Sequence, residues 1–333
     1  MNTDEQIAKF REIYAALKRE IGKVIVGHEP IVDSTLIALM AGGHVLLEGV
    51  PGLGKTLLVR TLGEVLDLTF SRIQFTPDLM PADIMGTNLV MEAPDGRRTF
   101  EFQHGPIFAH LILADEINRA TPKTQSALLE AMQEHSVTAG GEVRRLAEPF
   151  FVLATQNPID QEGTYPLPEA QLDRFFFKLL VGYPTAAELT EVLNRTTETA
   201  QATVNRVLSR EGLIELQQLV RQVPAVSHVK DYAVRLVLAT HPKTNTAVPI
   251  ANQFLRYGSS PRGAQALILA GKVRALAQGR FNVSFDDIRA VALPALRHRL
   301  ILNFEAEAEG ITTDKIIEQV LSEVPENAAA VAA

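Results

Sequence analysis

The sequence contains no cysteine, so a disulfide framework and a thiolate metal site are both excluded. It also has no apolar run that approaches the roughly 20 residues needed by a membrane-crossing helix. The start, residues 1–6, is polar and acidic, without the basic segment and apolar core of a signal peptide. Together these absences predict a soluble protein of the cytoplasm with no membrane span.

A block of basic residues is absent as well, and the formal net charge is -7. Proteins that follow a phosphate backbone concentrate Lys and Arg on one face, so the composition argues against a nucleic acid partner. The histidines, among them His104, His110 and His135, show no regular metal-ligand spacing and are interpreted as packing or surface residues. The balance of hydrophobic and charged residues is that of a globular protein.

Short apolar stretches alternate with helical patterns in the first half of the chain. Two predicted helices come first, at residues 4–20 and 31–41. Strands that alternate with helices indicate an α/β fold, with a parallel sheet covered on both faces. The predicted strands are residues 45–48, 69–75, 110–115, 150–155 and 175–180.

Two segments interrupt this alternation and are typical of β-hairpins. Asp95-Gly96 lies between extended runs at 89–91 and 99–102, and Gly140-Gly141 lies between runs at 136–138 and 143–145. Asp-Gly and Gly-Gly are turn signals between extended runs. Inserted hairpins are functional extensions in some folds and tolerated surface loops in others, and both interpretations stay open.

From residue 186 onward the patterns are helical. The change follows Tyr183-Pro184, which suits a boundary. We therefore predict an α/β domain over residues 1–184, including the N-terminal helix, and a smaller helical domain over residues 185–333. The predicted helices of the second domain are residues 188–195, 213–220, 230–240, 262–278 and 286–297.

Residues 49–56 read Gly-Val-Pro-Gly-Leu-Gly-Lys-Thr and match the phosphate-binding pattern G-x-x-x-x-G-K-[ST] between a strand and a helix. The glycines let backbone N–H groups converge on phosphate oxygens, and the helix N-terminus adds a favourable dipole. Lys55 is predicted to reach the β- and γ-phosphates, and the Thr56 hydroxyl to hold Mg²⁺. The predicted nucleotide-binding residues are Gly49, Pro51, Gly52, Leu53, Gly54, Lys55, Thr56, Leu57 and Asp115.

A triphosphate site also needs a carboxylate at the end of a neighbouring strand. Residues 111–116, Leu-Ile-Leu-Ala-Asp-Glu, supply Asp115 as a metal ligand beside Thr56, and Glu116 as a general base that activates water. A nucleotide kinase would need no such base. The chain also lacks an Asn-Lys pair, and with it the guanine motif usual in GTPases. ATP, with Mg²⁺, is therefore the predicted nucleotide.

A third apolar strand runs into Gln156-Asn157-Pro158. Taken alone, Asn157-Pro158 is only a turn signal. An amide at this strand end, beside the other two elements, can align the attacking water or bind the γ-phosphate. Asn157 is therefore a candidate catalytic residue.

These motifs together resemble an AAA+ ATPase. The resemblance rests on residues 49–56 and 111–116, on Asn157, on Glu-Ala-Gln-Leu-Asp-Arg-Phe at 169–175 and on Ser260-Pro261-Arg262, in the expected order. The runs Asp-Glu-Ile-Asn-Arg-Ala at 115–120 and Thr-Gln-Asn-Pro at 155–158 are most similar to the MoxR branch. The similarity spans residues 20–300.

The resemblance implies a five-stranded P-loop core in the order 5-1-4-3-2, with the two hairpins as inserts and an all-helical lid. Asn157 then takes the sensor 1 role, and Arg262, at the start of a lid helix, the sensor 2 role at the γ-phosphate. Arg174 resembles the arginine finger that enters the neighbouring subunit's active site. Without the resemblance, Asp173-Arg174 would be interpreted as a surface ion pair. His28 departs from the family pattern, because a glutamine is expected there near the adenine.

The MoxR resemblance also implies a homo-hexameric ring that remodels or activates client proteins, often with a partner that carries a von Willebrand factor A domain. Arg119 is a further candidate for the subunit interface. One alternative is an AAA+ motor acting on nucleic acid, such as a helicase loader or a transcription activator. Another is a nucleotide sensor that hardly hydrolyses ATP, against which the presence of both Glu116 and Arg174 argues. The hairpin residues that leave room for nucleic acid are Arg97, Arg98, Arg144 and Arg145.

Overall fold

A computed structural model describes residues 2–49, 54–92, 98–157, 163–197 and 202–327 of the chain. Its strands are β1 (Val45–Gly49), β2 (Phe70–Gln74), β3 (Gly86–Glu92), β4 (Arg98–His104), β5 (Leu111–Asp115), β6 (Ser136–Ala139), β7 (Glu142–Arg145), β8 (Phe151–Gln156), β9 (Phe177–Val181), β10 (Leu255–Tyr257) and β11 (Ile301–Leu302). Its helices are α1 (Thr3–Val24), α2 (Glu29–Ala41), α3 (Lys55–Leu66), α4 (Pro81–Met85), α5 (Pro122–Glu134), α6 (Glu169–Leu172), α7 (Ala186–Thr197), α8 (Arg210–Gln222), α9 (Ser227–Ala239), α10 (Pro249–Phe254), α11 (Pro261–Ala277), α12 (Phe285–Leu296), α13 (Phe304–Ala308) and α14 (Thr313–Glu323).

The central sheet has five parallel strands in the order β2-β5-β8-β1-β9. Counted along the chain as core strands one to five, this is the order 5-1-4-3-2, so the predicted sheet is confirmed. Successive side chains of a strand point to opposite faces. Leu46 and Ile112 accordingly pack in one apolar cluster, whereas Leu47 and Leu113 pack in another. Both faces are covered, which explains why the central strands β1, β5 and β8 are mostly apolar.

The carboxyl ends of the central strands meet at one edge of the sheet. The register pairs Gln74 with Asp115, and Glu48 with Gln156, so β1, β2, β5 and β8 end together. Polar residues that close these strands therefore share that edge, the usual place for ligands in an open parallel sheet.

Both predicted hairpins are present, as the antiparallel pairs β3–β4 and β6–β7. The first is longer than predicted, and its tip, residues 93–97, lies outside the described residues. The guanidinium carbon of Arg144 lies 3.7 Å from the centre of the Phe102 ring, a cation–π contact that joins the two hairpins.

The chain after β9 is helical, as predicted, with one addition. β10 and β11 form a short antiparallel pair in which Leu255 lies opposite Leu302. Strands of two and three residues are too short to show a period of two in the sequence. In the described part of the chain, none of the helices has the length and hydropathy that crossing a bilayer requires.

The N-terminal helix α1 packs against the C-terminal helices. It begins with a capping box, in which Asn2 and Glu5 each accept from the other's backbone N–H. Its apolar side chains recur every three or four residues and enter the same cluster as side chains of α11 and α12. The larger core is therefore shared across the predicted domain boundary at residue 184, whose position stays a prediction. The buried apolar residues of α1 are Ile7, Phe10, Tyr14, Leu17 and Ile21.

Candidate active site

The glycine-rich loop begins at Gly49, the last residue of β1, and ends at Gly54, which caps α3. A Cβ on Gly49 would lie 2.6 Å from the carbonyl oxygen of Val181, so this position has no room for a side chain. Gly54 has φ 73°, a left-handed conformation that glycine adopts without strain. Residues 50–53 lie outside the described residues, so the predictions for Pro51, Gly52 and Leu53 are untested.

Lys55, Thr56 and Leu57 open α3 at the same edge. Lys55 Nζ donates a hydrogen bond to the Gly49 carbonyl at 2.7 Å, so the side chain points back toward the end of β1. Partial burial lowers the pKa of Lys55, and the negative charges of Asp115 and Glu116 oppose that shift. Thr56 and Leu57 are exposed. The helix N-terminus therefore presents a cation and a hydroxyl toward the sheet edge.

Asp115 closes β5, and both of its carboxylate oxygens have partners. Oδ1 accepts from the Thr155 hydroxyl at 2.6 Å. Oδ2 accepts from Arg72 at 2.7 Å for Nη2 and 3.2 Å for Nε. The carboxylate is thus oriented from β8 on one side and from β2 on the other.

Glu116 follows Asp115 with φ 56°, a left-handed conformation that is uncommon for a residue with a side chain. Its backbone N–H donates to the Thr155 hydroxyl at 2.8 Å. Its Oε2 accepts from Gln74 Nε2 at 2.8 Å and from Arg119 Nη1 at 3.0 Å. A strained backbone conformation of this kind persists only when neighbouring groups stabilise it. Here the Thr155 hydroxyl does so, by accepting the hydrogen bond from the Glu116 N–H.

These side chains line one cavity of about 410 Å³. Asn157 is buried at its margin, 8% exposed, at the end of β8. Thr56 and Asp115 bring a hydroxyl and a carboxylate, the hard oxygen donors that Mg²⁺ prefers, next to a lysine and a helix N-terminus. The donor set therefore fits a magnesium-bound triphosphate. The described residues of the cavity wall are Gly54, Lys55, Thr56, Leu57, Arg72, Gln74, Asp115, Glu116, Thr155 and Asn157.

Sequence reasoning missed three of these residues, Thr155, Arg72 and Gln74. Arg72 and Gln74 stand two apart in β2, so they point to the same face, whereas Ile73 between them is buried. Two polar residues at alternate positions in a predicted core strand were the available signal. Thr155 stood in the run that resembles the MoxR branch, but nothing local indicated its contact with Asp115, which is 40 residues away in the chain.

Arg174 and Arg262 lie together, but away from this cavity. Both line a second cavity of about 360 Å³, which shares no lining residue with the first. Arg262 Nη1 lies 3.5 Å from Asp173 Oδ2, and its side chain is 43% exposed. Among the described residues, no hydrogen bond or ion pair engages the Arg174 guanidinium. The structure therefore brings the two predicted arginines together, in a cavity separate from the one that Gly54 and Lys55 line.

His28 directly precedes α2, as its N-cap residue, with φ 53°. It lines a small apolar cavity of about 20 Å³ that also touches Gly54 and Lys55. Lining residues such as Leu47 and Val181 give this cavity an apolar wall. A cavity of this volume holds about one water molecule, so it is too small for a purine base.

Two segments of the chain match known family descriptions. Residues 44–177 match the "ATPase family associated with various cellular activities (AAA)", and residues 249–320 match the "AAA lid domain". The first segment contains β1, β5 and β8 with the cavity described above, and the second contains α11 and α12.

Known proteins resemble the chain over nearly its whole length. Chaperone MoxR1 of Mycobacterium tuberculosis is 44% identical, over 92% of this chain and 80% of its own. Protein MoxR of Methylorubrum extorquens is 30% identical, over 98% of this chain and 99% of its own. The crystal structure of a candidate ATPase from Cytophaga hutchinsonii superposes with a TM-score of 0.90 at 43% identity, over 96% of this chain and 97% of the other.

Proposed function

Because the chain belongs to the MoxR family of AAA+ ATPases, we propose that it hydrolyses ATP in an oligomeric ring and thereby remodels or activates client proteins. One observation carries the chemistry. The Thr155 hydroxyl ties Asp115 to the backbone of Glu116, next to Lys55, in a single cavity. A metal-side carboxylate, a water-side carboxylate and a phosphate-side cation thus meet at one edge, as phosphoryl transfer to water requires.

In this proposal the N-terminus of α3 binds the triphosphate through Gly54 and Lys55. Thr56 and Asp115 would hold Mg²⁺, which supplies positive charge against the phosphate oxygens. Leu57 would pack on the nucleotide.

Glu116 acts as the general base. It takes a proton from the attacking water, whose oxygen bonds to the γ-phosphorus while the bond to the β,γ-bridging oxygen breaks, leaving ADP and phosphate. Gln74 and Arg119 already hold its carboxylate toward the cavity. Asn157 would donate a hydrogen bond to the water or to the γ-phosphate.

The position of Arg174 supports a finger that serves a neighbouring subunit. Arg174 precedes the amino end of β9, whereas Val181 at the carboxyl end pairs with Gly49 of the phosphate-binding loop. The extended strand from Phe177 to Val181 alone spans about 13 Å. Arg174 therefore faces the opposite edge of the sheet from its own loop, and Arg262 lies beside it.

A finger supplied by a neighbour requires a heterologous interface, repeated around a closed ring. We therefore extend the proposal to a homo-hexamer, acting on a client together with a partner that carries a von Willebrand factor A domain. The relative named Chaperone MoxR1 supports the chaperone-like role. The alternative of a motor on nucleic acid gains little from the hairpins, because Arg144 is engaged by Glu142 at 2.8 Å and by the Phe102 ring.

Glu116→Gln tests the chemistry, because glutamine keeps the size of the side chain but does not accept the proton. We expect ATP binding within a few-fold of the native value and phosphate release slower by about 10²–10⁴. Fluorescent-nucleotide titration and a phosphate-release assay measure the two quantities. Glu130→Gln, an exposed change on α5, is the control and should behave as the native protein. Turnover by Glu116→Gln within tenfold of native would remove Glu116 from the proposed role.

Arg174→Ala tests the ring. This variant should bind ATP normally and hydrolyse it roughly 10³-fold more slowly. Mixing it with Glu116→Gln subunits should restore activity, because the intact finger of one variant then meets the intact cavity of the other. Absence of recovery in subunits shown to co-assemble would contradict a finger acting between subunits.

A further inference from the structure

Side chains of the lid form hydrogen bonds with residues 173–176, the segment that carries Arg174. Arg297, His298 and Arg299 directly follow α12, which ends at Leu296. His298 and Arg299 are buried, 7% and 6% exposed. Both reach backbone carbonyls next to Arg174, so the lid and the predicted finger are in direct contact.

Arg299 makes most of these contacts. It donates to the Phe175 carbonyl at 2.7 Å, to the Phe176 carbonyl at 3.2 Å and to the Asp173 carbonyl at 3.3 Å. Its Nε also donates to Asp173 Oδ1 at 3.0 Å. Burial lowers the pKa of Arg299 to about 10, so the guanidinium stays charged at neutral pH. One buried cation thus holds the backbone on both sides of Arg174.

His298 forms a further hydrogen bond with the same backbone segment. Its Nε2 lies 2.9 Å from the Phe175 carbonyl oxygen. Burial, followed by the charge of Arg299, holds the pKa of His298 well below its usual value. The ring is therefore neutral, and because a carbonyl oxygen only accepts, Nε2 carries the proton and donates it.

The Asp173 side chain ties the same segment to the start of α11. Ser260, which caps α11, donates from its hydroxyl to Asp173 Oδ1 at 2.7 Å. Arg299 shares that oxygen. The residue that caps the start of α11 and a residue that follows α12 therefore both bind Asp173, directly before Arg174. The guanidinium of Arg174 makes no hydrogen bond or ion pair with the described residues.

We propose that His298 and Arg299 form a clamp that positions Arg174, so that the lid of one subunit sets the reach of its finger into the next. This inference rests on the proposed role of Arg174 between subunits. The clamp residues are positioning residues, since they act only through the backbone that carries the finger. Movement of α11 or α12 would move Arg174 with it.

Arg299→Lys is the direct test. Lysine keeps the charge but replaces the guanidinium fork with a single ammonium group, so the carbonyls of Phe175 and Phe176 lose their shared donor. A misplacement of about 1 Å costs on the order of 100-fold in rate, so we expect kcat to fall at least tenfold. ATP affinity should stay within twofold, because Arg299 and the phosphate-binding loop line different cavities.

Arg297→Lys is the matched control. Arg297 occupies the same turn and also binds a carbonyl, that of Lys178, at 3.2 Å, and its other bonds go to Asp314. Arg297 therefore binds strand β9 itself, C-terminal to the segment that carries Arg174. We expect this change to affect the melting temperature and to leave kcat within twofold of native. An equal loss of kcat in both variants would mean that general loosening of the lid, and not the clamp, is responsible.

Mixed assemblies separate this inference from the proposal on which it rests. Arg299→Lys mixed with Glu116→Gln should recover the same fraction of activity as Arg174→Ala mixed with Glu116→Gln. Recovery with Arg174→Ala but not with Arg299→Lys would overturn the clamp and leave the finger intact. Recovery with neither variant would overturn the finger itself.

A spectroscopic measurement covers the case in which Arg299→Lys assembles poorly. The chain has no cysteine, so Arg174→Cys can carry a single spin label at the finger position. With His298 in place, the electron paramagnetic resonance spectrum of the label should show a single component of restricted motion. The milder change His298→Ala should add a second component of higher mobility. Identical spectra in the two backgrounds would overturn the clamp.

Discussion

His44 allows a pH dependence to be worked out from the structure. It is buried, 5% exposed, directly before β1. Its Nδ1 accepts from the Val152 N–H at 3.1 Å, and its Nε2 faces the Met132 carbonyl at 3.1 Å. Only a neutral ring with the proton on Nε2 satisfies both partners. Burial, with a smaller effect from nearby His135, lowers the pKa of His44 to about 4.

The sign and size of the effect follow from that value. In the unfolded chain a histidine has a pKa of about 6.5. Between those two values the unfolded state binds more protons than the folded state, so the free energy of unfolding decreases as the pH falls through this window. The contribution of His44 is about 2 kcal/mol lost between pH 7 and pH 5, and about 3 kcal/mol once the pH is below 4.

His44→Gln isolates this contribution, because glutamine can accept and donate at the same two partners without titrating. We expect the fall in melting temperature from pH 7 to pH 5 to be smaller in the variant by about 2–6 °C. Differential scanning calorimetry at both pH values measures it. His104→Gln, on the exposed hairpin strand β4, controls for the loss of a histidine. Equal falls in the native protein and in His44→Gln would show that His44 is not held neutral by burial.

Two further predictions concern the hydrogen bonds around the carboxylates. Thr155→Val removes the hydroxyl that bridges Asp115 and Glu116 and leaves the backbone N–H of Glu116 without its partner. We expect a free energy of unfolding lower by about 1–3 kcal/mol and a kcat lower by about 100-fold, whereas Thr155→Ser should be near native. A Thr155→Val variant with native activity would refute the bridge. Arg72→Gln removes a cation that would compete with Mg²⁺ for Asp115. Since a half-exposed ion pair contributes up to about 1 kcal/mol, the Mg²⁺ concentration for half-maximal ATPase activity should fall about two- to fivefold. An unchanged or higher Mg²⁺ requirement would contradict this competition.

The sheet and its loop were predictable because their signals are local. An apolar strand followed by Gly49 to Thr56 and a helix is a contiguous pattern, and the order of the strands followed from the family resemblance. The Asp-Gly and Gly-Gly pairs indicated the two hairpins. Helices such as α11 and α12 were found within a residue or two of their bounds.

The contacts that orient these elements were not predictable, because they join residues far apart in the chain. Thr155 reaches Asp115 across 40 residues, and Arg299 reaches Phe175 across 124. Such pairs depend on strand register and on how the lid packs, neither of which a period in the sequence reports. The pair β10–β11 was not predicted for a different reason, because strands of three and two residues are too short to show a repeated alternation.

Strand β9 lies between the glycine-rich loop, which would serve the subunit's own reaction centre, and Arg174, which would serve the reaction centre of a neighbour. Its carboxyl end lies against Gly49, the first residue of the glycine-rich loop, and its amino end follows Arg174 and Asp173. The lid residues Ser260 and Arg299 bind the second of these ends, at Asp173. In the proposed ring, the γ-phosphate in one subunit would therefore act on the lid of the neighbour that lends Arg174. Loss of that phosphate would release a neighbour's finger and, through the clamp, its lid. Coupling in such a ring runs from each nucleotide to the adjacent subunit, because the hydrogen bonds that join lid and finger belong to the subunit that gives the arginine.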